Sequence, residues 1–98
     1  MLVRNQLGER CINVKHLKEI RVYSSHPSKA YIEAIEPGDV PKVAILGIYH
    51  SREKAKEELE KVVELSNQKD MDGFIYTLPM DEFIDMADVI FVLRDDER

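Results

Sequence analysis

A chain of 98 residues, 44% hydrophobic and 34% charged, is long enough for one core and too apolar to stay disordered. A net charge of −5, with 7% aromatic residues and no Trp, argues against a basic, aromatic-rich nucleic-acid platform. A single cysteine excludes an internal disulfide.

The charge is unevenly placed. Residues 1–30 carry six Lys/Arg against two acids, net +4, whereas residues 70–98 carry nine acids against two arginines, net −7. This asymmetry can steer a partner or a second copy into head-to-tail contact, or the two segments can face each other within one fold. The N-terminus, Met1-Leu2-Val3-Arg4, lacks the apolar core of a secretory signal, and no apolar run approaches the ~18 residues of a membrane span. A cytoplasmic protein with no membrane partner is expected.

In chain order, Met1–Asn5 reads as a short strand. A Gly turn at Leu7-Gly8-Glu9-Arg10 returns the chain along Cys11–Val14 as a hairpin. Cys11 beside Ile12 is expected to be a half-buried strand thiol. Lys18–Tyr23 alternates, with Ile20 and Val22 inward and Glu19, Arg21 and Tyr23 outward. Ser24–Ser28, with Pro27, is turn chemistry, and Ala30–Ile35 is the next strand. Links this short require antiparallel pairing.

After the loop Glu36–Pro41, Lys42–His50 is apolar at nearly every position, the pattern of a strand covered on both faces. Gly47 inside it predicts a bulge, a bend or a close backbone approach. Ser51 is the expected N-cap of a helix from Arg52 to about Ser66. At 100° per residue, Leu65, Val62, Ala55, Leu59 and Val63 cover an arc of roughly 160°. Glu53, Lys54, Glu57, Glu60, Lys61 and Glu64 fill the solvent side.

Asn67–Gly73 is a polar loop. Phe74–Leu78 has strand propensity, and Pro79 ends it or places it at a sheet edge. The last segment carries two patterns: a helical stripe capped by Asp81, and the β-branched run Val89–Leu93. A short helix from Asp81 to about Ala87, then a strand through Leu93 and a frayed tail Arg94–Arg98, is expected.

His16, His26 and His50 with Cys11 show no tight metal-ligand spacing, and each His lies by a loop or strand end. The 24–28 loop has no nucleophile elbow. Asp81, Asp85 and Asp88 read as a cap and solvent-facing acids. The four scattered glycines form no phosphate loop. No catalytic residue, cofactor or metal site is assigned.

The stretch Leu46–Leu59 reads LGIYHSREKAKEEL. It resembles a cassette of small, largely uncharacterised proteins of Gram-positive bacteria and their phages: short strands, then LGxYxSxExAKxxL entering a helix, then an aromatic strand ending in Pro, as at Phe74–Pro79. The resemblance spans about Lys18 to Pro79. It implies an antiparallel sheet with a packed helix and brings no functional residues. The acidic, apolar C-terminal segment departs from the family's shorter members.

The expected fold is therefore α+β: one domain over 1–98, with an antiparallel sheet of about five to six strands and one long amphipathic helix. A pleckstrin-homology-like barrel capped by a helix is the alternative. The expected function is a small interaction or assembly module that self-associates as a homodimer through segment 80–98, with Phe83, Met86, Ile90, Phe91 and Leu93 as the candidate interface. A small-molecule binder or minor enzyme, recognisable by a pocket with converging polar groups and a perturbed titrating residue, is the second expectation. Weak nucleic-acid binding, recognisable by salt-dependent retention, is the third.

Overall fold

The computed structural model describes residues 1–95. Strands β1 (Leu2–Arg4), β2 (Cys11–Asn13), β3 (Glu19–His26), β4 (Lys29–Glu36) and β5 (Lys42–Tyr49) precede helix α1 (Arg52–Ser66). Strand β6 (Ile75–Thr77) and helix α2 (Met86–Asp95) follow. Among the described residues the fold is α+β, but the six strands form two three-stranded sheets, ordered β2-β1-β6 and β3-β4-β5, with two α-helices and a single 3-10 turn at Val14–His16. This corrects the expected single sheet with one helix, and the six strands do not join into one barrel either.

The reason lies in a pairing that no local signal announces. β1 pairs antiparallel with β2, as the Gly turn requires, but also parallel with β6, some seventy residues later. Gly8, at φ +72, makes the turn, and the Asn5 side chain accepts from the backbone N–H of Glu9 at 2.9 Å. That parallel pairing draws the N-terminal hairpin into a sheet of its own. Strict alternation then buries Ile12 and turns Cys11 outward, so the thiol is exposed where a half-buried one was expected.

The larger sheet follows the expected antiparallel order β3-β4-β5. β3 continues to His26, and the turn shrinks to Pro27-Ser28. Ile20 and Val22 pack on the core while Arg21 and Tyr23 face out. On β4, Ala30, Ile32 and Ala34 face one core cluster with Ala55 and Val62 of α1. Tyr31 faces the opposite side, where Ile48 and Ile45 meet Val89 and Leu93 of α2. The two helices thus cover opposite faces of one sheet, and β5 is apolar and covered on both faces from Ala44 to Tyr49.

A bulge lets β5 serve both sides. Ile32 pairs with Gly47 and Glu33 with Ile45, so Leu46 is the extra residue. The Leu46 carbonyl is not lost, because it accepts from the Gln6 backbone N–H at 3.0 Å. The buried Gln6 side chain then accepts from Ile48 N–H at 2.7 Å and donates to the carbonyls of Ile48 (3.1 Å) and Pro79 (2.9 Å). One amide therefore acts as an extra rung on the edge of β5 and joins it to β1. Gly47 is required there: a Cβ would stand 3.0 Å from the Tyr49 ring and 3.3 Å from both Gln6 and Leu78.

Helix α1 has the expected bounds, with the Ser51 hydroxyl accepting from Lys54 N–H at 3.1 Å. The C-terminal segment is corrected. Asp81–Ile84 forms a turn and Met86–Asp95 a helix, in place of a helix to Ala87 followed by a strand. β-branched residues favour a strand only slightly. Here the Asp85 side chain caps Ala87 N–H at 3.0 Å, and Val89 and Leu93, one turn apart, bury together on Ile48. Packing of one helical stripe overrides the local preference. Arg94 and Asp95 of the expected frayed tail are helical, and 96–98 lie outside the described residues.

Candidate functional site

Charge pairing decides where free chemistry is left. The basic N-terminal and acidic C-terminal segments meet within the chain: Lys15 reaches Asp72 at 3.4 Å, Lys29 reaches Asp88 at 3.7 Å, and Arg94 forks onto Glu9 at 3.1 and 3.2 Å. Arg10 and Arg21 hold Glu36 and Glu33, each at 3.1 Å. These cations have carboxylate partners and do not form an open phosphate-binding stripe.

Two polar clusters were not legible as sites. Glu58 is fully buried on α1. Its carboxylate accepts from Lys61, Lys54 and the Tyr76 hydroxyl at 3.1–3.2 Å. Burial pushes the Glu58 carboxyl up, but the two lysines and the hydroxyl outweigh it and hold it below the ordinary glutamate value. Burial and the Glu58 charge push the Tyr76 hydroxyl up. The signal was present on the helical wheel, where Glu58 falls between Leu65 and Val62 inside the apolar arc.

The second cluster joins the end of β5 to the turn before α2. Asp81, read as a helix cap, is buried. One carboxylate oxygen accepts from Phe83 N–H at 3.0 Å, and the other from His50 N–H at 2.8 Å and the His50 ring Nδ1 at 2.6 Å. Burial raises the Asp81 carboxyl; the Phe83 and His50 bonds together more than reverse that, leaving it below the ordinary aspartate value. His50, expected to be a solvated imidazole, is half-exposed and lines a cleft of about 390 Å³ with Lys54, Met80, Asp81, Glu82 and Phe83. The Phe83 ring meets the imidazole edge-on, centroids 4.9 Å apart. Tyr49 ties down the same turn by donating to the Pro79 carbonyl at 3.1 Å. An aspartate that fixes an imidazole beside a cleft is half of an acid–base arrangement. Among the described residues no three His, Cys, Asp or Glu side chains converge on a metal position.

The candidate interface residues separate into two sets. Leu93 is 2% exposed and packs with Val89 against Ile48, and Ile90 is half-buried. Phe83 (70% exposed), Met86 (52%) and Phe91 (72%) stand in solvent. By the 100° rule, Val92, Val89, Leu93, Met86, Ile90, Ala87 and Phe91 occupy an arc of about 260° around α2, interrupted only by Arg94. The sheet covers one side of that arc.

No helix among the described residues is long and apolar enough to cross a membrane. Comparison with protein-family models, curated proteins and solved structures finds no family, sequence or fold similar to this chain.

Proposed function

We propose that the protein is a small interaction module that self-associates through the outer face of α2 and the Phe83 turn. One observation carries this reading: α2 is apolar nearly all round, yet only its Val89/Leu93 side is covered. A helix of that composition is ordinarily buried on all sides, and clustered exposed aromatic and Met side chains are typical of binding surfaces. The exposed Cys11 fits a reducing compartment, the cytoplasm in this reading. Sedimentation equilibrium over a wide concentration range tests the proposal. Concentration-dependent dimer mass, lost in Phe91→Glu, is expected; a monomer at every concentration overturns it.

A second reading, small-molecule binding in the cleft beside His50, is favoured by the Asp81-fixed imidazole. Its test is the ring resonances of His50 during a titration with a fragment library of small acids, amines and aromatics. Shifts absent in Asp81→Asn support it, and a ring unmoved at millimolar fragment concentrations removes it.

A further inference from the structure

We infer that the occupant of the outer α2 face is the α2 of a second copy, running antiparallel about a two-fold axis, with Phe91 of each chain seated on Ala87 of the other. The inference rests on the self-association reading and adds its geometry. Ala87 and Phe91 are both exposed and one turn apart, so they share the outward stripe of α2. A two-fold axis level with Val89 places residue 91 of one helix opposite residue 87 of its partner, and the reverse contact follows by symmetry. The small Ala87 leaves a hollow beside the Phe91 ring, and the pair becomes a knob and a hole.

Charge selects the antiparallel direction. Glu82 and Asp85 stand at the N-terminal end of α2, Arg94 near its C-terminal end. An antiparallel pair brings Arg94 of one chain against Glu82 and Asp85 of the other while still within reach of its own Glu9, and it opposes the two helix dipoles. A parallel pair would set acid against acid and Arg94 against Arg94. Phe83, just before the helix, then lies over the C-terminal turn of the partner, beside that Arg94.

The contact is small. Phe83 and Phe91 offer roughly 300 Å² of side-chain surface per chain, below the ~800 Å² per partner of a standard interface, and Met86, turned away from Phe91 around the helix, lies at its margin. A weak, reversible dimer follows.

The experiment is sedimentation equilibrium on the full chain and four surface variants, with circular dichroism confirming that each folds. Ala87→Leu fills the hollow. If Phe91 seats there, association weakens about tenfold; an undirected apolar contact would strengthen instead. Arg94→Glu and Glu82→Arg each weaken association, and an equimolar mixture of the two restores it, because each mixed dimer recovers both opposite-charge pairs, one of them reversed in sign. Phe91→Glu abolishes it. Dimerisation that is lost in Phe91→Glu but strengthened by Ala87→Leu, with no rescue in the mixture, overturns the antiparallel seating while the surface itself stands. A wild-type monomer at every concentration overturns both the seating and the self-association reading.

Discussion

Helices α1 and α2 lie on opposite faces of the β3-β4-β5 sheet, and they meet water in opposite ways. α1 is amphipathic: Ala55, Leu59 and Val62 turn inward and a charged face turns out, with Ser51 closing its start. Its one anomaly, the buried Glu58, is supplied with three donors from its own chain. α2 buries Val89 and Leu93 and leaves Met86 and Phe91 bare. α1 leaves one large apolar side chain exposed, Val63, at 44%, whereas the shorter α2 leaves Met86 and Phe91 at 52% and 72%, and the contrast separates a helix that completes the fold from one that also presents an apolar surface.

The contrast breaks most clearly at the inner side of α2. Leu93→Ala should cost about 2–5 kcal/mol in urea unfolding, because the methyl groups removed are buried against Ile48 and Val89. A loss within experimental error would mean that α2 does not belong to the core. For the same reason, ending the chain at Pro79 strips the cover from Ile48 and removes Asp81, so unfolding is expected; point variants, not truncation, report on the outer face.

Glu58→Ala should cost about 1–3 kcal/mol at neutral pH, toward the lower end because Lys54 and Lys61 can turn to water while the Tyr76 hydroxyl loses its acceptor. The pH dependence has a defined sign. The folded carboxyl lies below its ordinary value, so the stabilisation is present above the unfolded glutamate pKa of about 4.3 and is lost as pH falls through the folded value. Wild type should therefore lose stability more steeply in acid than Glu58→Ala. Parallel acid-unfolding curves would show that the lysines do not hold this carboxylate.

Ser51→Ala should cost about 1 kcal/mol through loss of the cap on Lys54 N–H. The smallest change in stability belongs to Phe91→Glu, within about 0.5 kcal/mol, since the ring is 72% exposed. A larger loss would place Phe91 in the monomer core and erase the difference between the two sides of α2.

The candidate site was legible in unequal parts. Phe83, Met86 and Phe91 follow from an apolar segment longer than a small core needs. Leu93 could not be sorted from them before the segment was known to be a helix, because the same residues read as a strand present different faces. His50 with Asp81 was invisible, since thirty-one residues separate them and neither sits in a spaced motif. Glu58 was missed as a buried acid, although the helical wheel places it inside the apolar arc of α1.

What the chain alone determined is what neighbours in sequence decide. The bounds of α1, its Ser51 cap, the Gly8 turn and the antiparallel order β3-β4-β5 all depend on periodicity, caps and short links. The tertiary structure decided whatever joins distant segments: β1 beside β6, Gln6 as a rung on β5, Asp81 on His50, and α2 as a helix. In each case two stretches compete for partners through burial and hydrogen bonds, and those energies exceed the few tenths of a kcal/mol per residue that local propensity contributes.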